Sequence, residues 1–366
     1  MKTTRLPVLR AKLVVPATAG TPVGPSRSNR SLRRLLIAFV VTALSVLAGI
    51  VVSSSPANAA TNEFRGMNWA VLGDNFSTGP LVLDGLSQSD SNATVQAKAN
   101  AIYDDMAAMG VNTVRLPINT HTVGTTWWNN YRGTIDAATA RGFKVILAYW
   151  EDGAASGGRI TNLTAWNTMW SNVTNTYGAN VNVYFEPMNE PHGYSSVEWR
   201  DIAANWLSYH YSAVPARTLI GGTGYSQDLR DVCNDSRFSG TLLSFHHYAF
   251  FYSAMTYDAF RSHIQTRLGN CAARAVATEW GAPMSTGLDY GDANSTDNFV
   301  RHIRAITQVM RDNQMGGTYW PALGGKPGTI GYDYYSMFSL SGSGTDLSLT
   351  VRNDSGRDRV RYGWGL

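Results

Sequence analysis

Val-Asn-Val-Tyr-Phe-Glu-Pro-Met-Asn-Glu-Pro, residues 181 to 191, decides the reading of this chain. Val181, Val183 and Phe185 are β-prone and closely spaced, which predicts a buried strand ended by Pro187 and Pro191. The polar pair Asn189 and Glu190 then sits at the strand's carboxyl end. A carboxylate there, beside an amide that can hold either it or a substrate hydroxyl, suits a general acid in a cleft. One carboxylate cannot cut a glycosidic bond alone, because one group protonates the leaving oxygen while another attacks or activates water. A second apolar run ending in a carboxylate, Ala275-Val276-Ala277-Thr278-Glu279-Trp280-Gly281, supplies the partner.

Asn-Glu-Pro and Thr-Glu-Trp-Gly, in this order and about three βα units apart, give the chain its likeness to a known family. It resembles glycoside hydrolase family 5, the cellulase family. The resemblance implies the α/β class and a single (β/α)8 TIM barrel, with the site at the carboxyl ends of the strands. It implies Glu190 as acid/base and Glu279 as nucleophile of a retaining double displacement, their carboxyl groups about 5 to 5.5 Å apart. Arg115, in Val-Arg-Leu-Pro, matches the family's active-site Arg and would hold Glu279 ionised. Phe245-His246-His247-Tyr248 matches its His-x-Tyr. Alternation along a strand turns His246 and Tyr248 one way and His247 the other. His246 is expected on substrate or acid/base and Tyr248 on Glu279. Trp320, in Thr-Tyr-Trp, matches the sugar-stacking Trp, and Asn189 would hold the sugar 2-hydroxyl. Trp280, Trp150, Tyr149, Trp69 and Tyr225 are further platform candidates, each equally readable as core or rim. Glu186 is expected to be a buried structural hydrogen-bonding group. Two features depart from the family: Ala148-Tyr149-Trp150, where many members carry a His, and the loops 70–91 and 321–350, which match no substrate-defining pattern.

With 366 residues, 44% hydrophobic and 15% charged, the chain can bury a large core. Its net charge of +4 comes from the first 60 residues, which hold eight Lys and Arg and no acid. The remainder carries 22 basic and 26 acidic residues, which gives no electrostatic footprint for nucleic acid. A basic region ending at Arg33-Arg34, an apolar run from Leu35 to Val52 and Ala57-Asn58-Ala59 read as a secretory signal peptide over 1–59, an uncleaved anchor being the alternative. Residues 60–366 form the catalytic barrel on this reading. Cys233 and Cys271, the two cysteines of an exported chain, are expected to form one disulfide; two free buried thiols are the alternative.

From Phe64 apolar runs alternate with amphipathic segments, as βα units do. Strands are expected at 64–69, 111–117, 143–149, 181 to the Asn-Glu-Pro motif, 218–222, 241–248, 274–279 and 317–320. Helices are expected at 92–109 (with an Asn cap), 127–141, 163–177, 197–213, 257–268 and 296–313, with a closing helix near 355–362.

The reading is a secreted, extracellular retaining endo-β-glycanase, with β-1,4-glucan as default substrate. A β-mannanase, a β-1,3/1,6-glucanase and an exo-β-glycosidase are alternatives on the same barrel, and an inactive carbohydrate-binding barrel is the alternative outside catalysis. No cofactor and no metal are expected, because a site built on His246 and His247 lacks a third ligand at usable spacing. The expected partner is a β-linked carbohydrate, with no nucleic acid, no stable membrane association after signal cleavage, and a monomeric chain.

Overall fold

The computed structural model describes residues 61–326 and 333–366. The secretory leader expected over 1–59 lies outside the described residues. Eight parallel strands run β1 (Arg65–Leu72), β2 (Thr113–Ile118), β3 (Lys144–Tyr149), β4 (Val183–Glu186), β5 (Leu219–Gly221), β6 (Leu242–Tyr248), β7 (Ala275–Gly281) and β8 (Gly316–Gly325). Their order in the sheet is β4-β3-β2-β1-β8-β7-β6-β5, with every neighbouring pair parallel. A bridge between Phe185 and Thr218 brings β4 to β5 and nearly closes the barrel.

The helices between the strands are α1 (Asn92–Ala108), α2 (Thr126–Ala140), α3 (Leu163–Tyr177), α4 (Ser196–Tyr209), α5 (Tyr257–Leu268) and α6 (Asn298–Asp312), and α7 (Asp354–Gly363) closes the chain. Their starts are set by side-chain caps: Ser91 accepts from the Thr94 amide, and Ser195 with Glu198 forms a capping box on α4. The cap of α1 is therefore Ser91, and Asn92 is its first helical residue. A large apolar layer between sheet and helices includes Trp69, Trp170, Trp199, Trp206 and Trp280. The barrel interior has a second, small apolar floor of Phe64, Ile146, Tyr184, Leu219 and Val276.

Three sequence expectations are corrected. The fourth strand spans only Val183–Glu186, and Val181 is 72% exposed. The Asn-Glu-Pro motif thus lies in the loop beyond the strand. The eighth strand continues to Gly325, and the segment read as one loop over 321–350 contains an antiparallel hairpin, Phe338–Ser343 with Asp346–Val351. Fourth-helix residues end at Tyr209 rather than 213, where His210 leaves helical geometry.

Candidate active site

Above the apolar floor the barrel interior turns polar, and Arg115 on β2 is its hub. Its guanidinium is 1% exposed, so every N–H must find a protein acceptor. Nε and Nη2 donate to the two oxygens of Glu186 at 2.7 and 2.9 Å, a fork-to-fork pair. Nη1 donates to Asn68 at 3.0 Å and to Glu279 at 2.5 Å, and Nη2 also to the Asn189 amide oxygen at 2.8 Å. Glu186 further accepts from the Ser244 hydroxyl at 2.8 Å, so it is a buried structural acceptor as the sequence suggested. Burial opposes the charge on Arg115, but Glu186 and Glu279 outweigh it and hold its proton more tightly than usual.

Glu279 belongs to β7 and Glu190 to the loop four residues past β4. The backbone of Glu190 is left-handed, with φ 51, a strained geometry for a non-glycine residue that points its side chain back over the barrel mouth. His246 on β6 lies between the two carboxylates, its Nδ1 3.0 Å from Glu190 and 3.7 Å from Glu279. One oxygen of each Glu and a ring nitrogen of His246 all lie within 4.8 Å of one another. Tyr248 donates its hydroxyl to Glu279 at 3.2 Å. His246 and Tyr248 face the same way, while His247 turns outward to bond His302 and His263 at 2.9 and 3.1 Å.

Burial dominates the titration of the site. It pushes the Glu190 carboxyl up to about 7, against the pull of Arg115 and His192. It also raises Glu279 above the ordinary carboxylate value, although His246 and Arg115 draw it back. Arg115 does lower Glu279, as expected from the sequence, but burial outweighs it and leaves the carboxyl above its ordinary value. Burial lowers His246, keeping its imidazole neutral, so that Nδ1–H can donate to a carboxylate.

These groups open into a cavity of about 550 Å³ lined also by Trp150, Trp320, Tyr225 and Tyr248. Trp320 is partly exposed and stacks on Trp150 with ring centres 5.4 Å apart. A side chain at Gly281 would meet the Trp320 carbonyl at 2.4 Å, so glycine there lets β7 and β8 carry Glu279 and Trp320 side by side. Asn189, next to Glu190 in the chain, is fully buried, with its Nδ2 unpartnered among the described residues. Trp280 does not join the site. It is fully buried outside the barrel, edge-on to Tyr319, because it alternates with Glu279 along β7. Trp69 and Tyr149 are likewise core, with Trp69 donating to the Asp84 carbonyl and Tyr149 to the Asp152 carboxylate.

Sequence reasoning missed Asp74, Phe76, His192, Phe250, Phe251, Lys326, Asp333, Tyr334 and Tyr335, all of which line the cavity. They come from loops, where no periodicity marks which residue faces inward. Asp333 accepts a hydrogen bond from the Trp320 indole and so orients the platform. A signal for Phe250 and Phe251 was present: two large apolar residues that follow the His-x-Tyr strand after one intervening residue, Ala249.

A family model described as Cellulase (glycosyl hydrolase family 5) matches residues 74–324. The chain belongs to the cellulase family. A manganese dependent endoglucanase, Eg5A, of Phanerodontia chrysosporium is 28% identical over 138 residues, and the match spans 34% of each chain. Among solved structures, the catalytic domain of the major endoglucanase of Xanthomonas campestris pv. campestris superposes with TM-score 0.59 at 18% identity, covering 83% of this chain and 95% of that one. An endocellulase of Pyrococcus horikoshii, solved with cellotetraose, gives TM-score 0.59 at 14% identity, covering 82% and 92%. At these identities the structural likeness is one of fold.

Proposed function

We propose that this cellulase-family barrel is an exported, monomeric, retaining endo-β-glycanase acting on β-1,4-glucan. One observation carries the reading: two carboxylates bridged by His246, Glu279 buried and Glu190 partly exposed, sit in unlike company. Glu279 is ion-paired with Arg115 at 2.5 Å and accepts from Tyr248, which suits an ionised nucleophile. Among the described residues Glu190 pairs with no Lys or Arg, and its carboxyl is pushed up to about 7, which suits a proton donor. Their spacing supports retention, since an inverting pair needs roughly 6.5 to 9.5 Å for a water.

In the first half-reaction Glu279 bonds to the anomeric carbon as the glycosidic C–O bond breaks, and the Glu190 proton passes to the leaving oxygen. In the second, water attacks that carbon, gives its proton to Glu190 and releases Glu279. The unpartnered Asn189 Nδ2 serves the sugar 2-hydroxyl, a contact that tightens in the transition state. β-1,4-Glucan is favoured by the endoglucanase relatives and by the Trp150–Trp320 platform, whose rings suit the C–H face of a pyranose.

The test is hydrolysis of soluble cellulose derivative, β-mannan, laminarin and aryl β-cellobiosides by residues 60–366, with Glu279→Ala alongside. A ladder of cello-oligosaccharides is expected. Glu279→Ala should lose at least 10³-fold in kcat and, with azide and an activated aryl glycoside, yield the α-glycosyl azide. That product from Glu190→Ala instead would reverse the two roles, and activity on aryl glycosides alone would make the enzyme exo-acting.

Glu190, Glu279 and His246 also form a donor set that fits a divalent cation. A cation there would occupy the oxygens that must carry a proton and attack carbon. Chelation is therefore expected to leave the rate unchanged; loss of activity restored by manganese would replace this metal-independent mechanism.

A further inference from the structure

We propose that the leaving-group side of the cavity also takes an aromatic aglycone, an aryl or arylalkyl group, and binds it by stacking. The inference rests on the hydrolase reading above and names a further class of glycoside that the site takes.

The chemistry fixes which side is meant. The leaving oxygen takes its proton from Glu190, so the departing group lies on the flank of Glu190. That flank is a continuous run of rings. His192, with Nδ1 2.9 Å from the Glu190 carbonyl, stacks on Tyr225 with centres 4.1 Å apart and planes 11° from parallel. Tyr225 meets Phe251 at 5.6 Å, Phe251 meets Phe250 at 4.5 Å, and Phe250 stacks on Tyr248 at 4.9 Å. The run therefore leads from the neighbour of Glu190 to the tyrosine that holds Glu279, and all five residues line the cavity.

Three of them present large apolar surface to solvent: Phe250 is 57% exposed, Phe251 40% and Tyr225 38%. A contiguous apolar patch at a catalytic mouth marks a surface that something covers. Tyr225 is also held with φ 63 and Ser226 with φ 56, left-handed geometry that costs energy for both and turns the Tyr225 ring onto His192.

A pyranose needs more than a ring face. Each of its equatorial hydroxyls must find a donor or acceptor when taken from water. The other wall supplies such groups around Trp320: Asp74 pairs with Lys326 at 3.3 Å, and Asp333 holds the indole. The five residues of the run itself offer the cavity imidazole, phenol and phenyl rings and no carboxylate, amide, lysine or arginine. That surface stacks and desolvates a planar apolar group at no cost in unpaired hydroxyls.

The experiment compares kcat/KM for benzyl β-cellobioside and methyl β-cellobioside. Benzyl and methyl alcohols have nearly the same acidity, so the ratio reads contact with the ring and not leaving-group activation. A benzyl preference of at least tenfold is expected, falling to about twofold in Phe251→Ala and in Phe250→Ala. Both residues are exposed, so melting temperatures of the variants should match the parent. A ratio near one in the parent, or a ratio that survives both substitutions, overturns the proposal. Cellopentaose hydrolysis by the same preparation separates the two levels: if it proceeds while the ratio is near one, the aglycone proposal falls and the glycanase stands. If no β-glucoside is hydrolysed the glycanase falls, and calorimetric binding of the two cellobiosides still decides. Tighter benzyl binding supports the aromatic wall, and equal affinities overturn it.

Discussion

Glu190 is held protonated by what surrounds it, and the same surroundings set both the pH profile and a local instability. Activity requires Glu279 ionised and Glu190 protonated, so kcat/KM should be bell-shaped. The alkaline limb falls near pH 7, where Glu190 loses its proton, and the acid limb lies above 4.5, because burial raises Glu279 as well. Replacing Glu190 by Gln should remove the alkaline limb and leave a slow enzyme that still cleaves activated aryl glycosides. The linkage to stability runs the same way. Between the unfolded value of 4.5 and the folded value of about 7, the folded state binds more protons than the unfolded one. Stability therefore falls as pH rises through that window. Glu190→Gln should raise stability by on the order of 2 to 3 kcal/mol at pH 8 and by little at pH 4.5. Melting curves at the two values check it, and an equal gain at both would show that the carboxylate's burial is not the cause.

At the scale of elements, the chemistry was legible in the sequence and the edges of the elements were not. The helices 163–177 and 257–268 match residue for residue, because a cap or turn residue stands at each end: Asn162 and Gly178, Thr256 and Gly269. β4 was read two residues too early, since Val181 is β-prone yet 72% exposed and only packing distinguishes it from Val183. The hairpin at 338–351 did carry a signal, since Phe338-Ser339-Leu340-Ser341 and Leu347-Ser348-Leu349-Thr350-Val351 alternate apolar with polar residues, but Ser and Gly around them read as loop. Glu190, Glu279, Arg115, His246 and Tyr248 converge because each is fixed at or beside the end of a strand. The loop residues that line the cavity follow no such register. Cys233 and Cys271 do pair, joining the short helix Arg230–Cys233 to the 3-10 turn Gly269–Arg274 across 38 residues. Constraining a loop of that length in the unfolded chain contributes about 3 to 4 kcal/mol. Reduction should lower the melting temperature accordingly, and an unchanged curve with two titratable thiols would show that the bond does not form in solution.

Over the whole molecule the barrel has one weak seam. Most neighbouring strands share ladders of several residues, but β4 and β5 meet through the single Phe185–Thr218 bridge. Arg217, just before β5, takes over the closure. Its guanidinium donates to the carbonyls of Val183 at 2.6 Å and Asn180 at 2.9 Å, and to that of Gly178, and lies 5.6 Å from the Phe185 ring. One side chain thus ties the end of α3 and the start of β4 to β5, in place of the ladder the short strands cannot form. The consequence reaches the chemistry, because β4 leads directly into the Asn189-Glu190 loop. Arg217→Ala leaves three carbonyls without their charged donor and should cost about 2 kcal/mol. Amide exchange should quicken first in Val183–Glu186 and Leu219–Gly221 while β1, β2 and β8 stay protected, since local opening follows the weakest contacts. kcat should fall more than KM rises, because a loosened β4 displaces the proton donor while Trp320, on β8 across the barrel, keeps its place. Uniform acceleration of exchange across all eight strands would mean that the barrel opens as one unit and that Arg217 does not guard its seam.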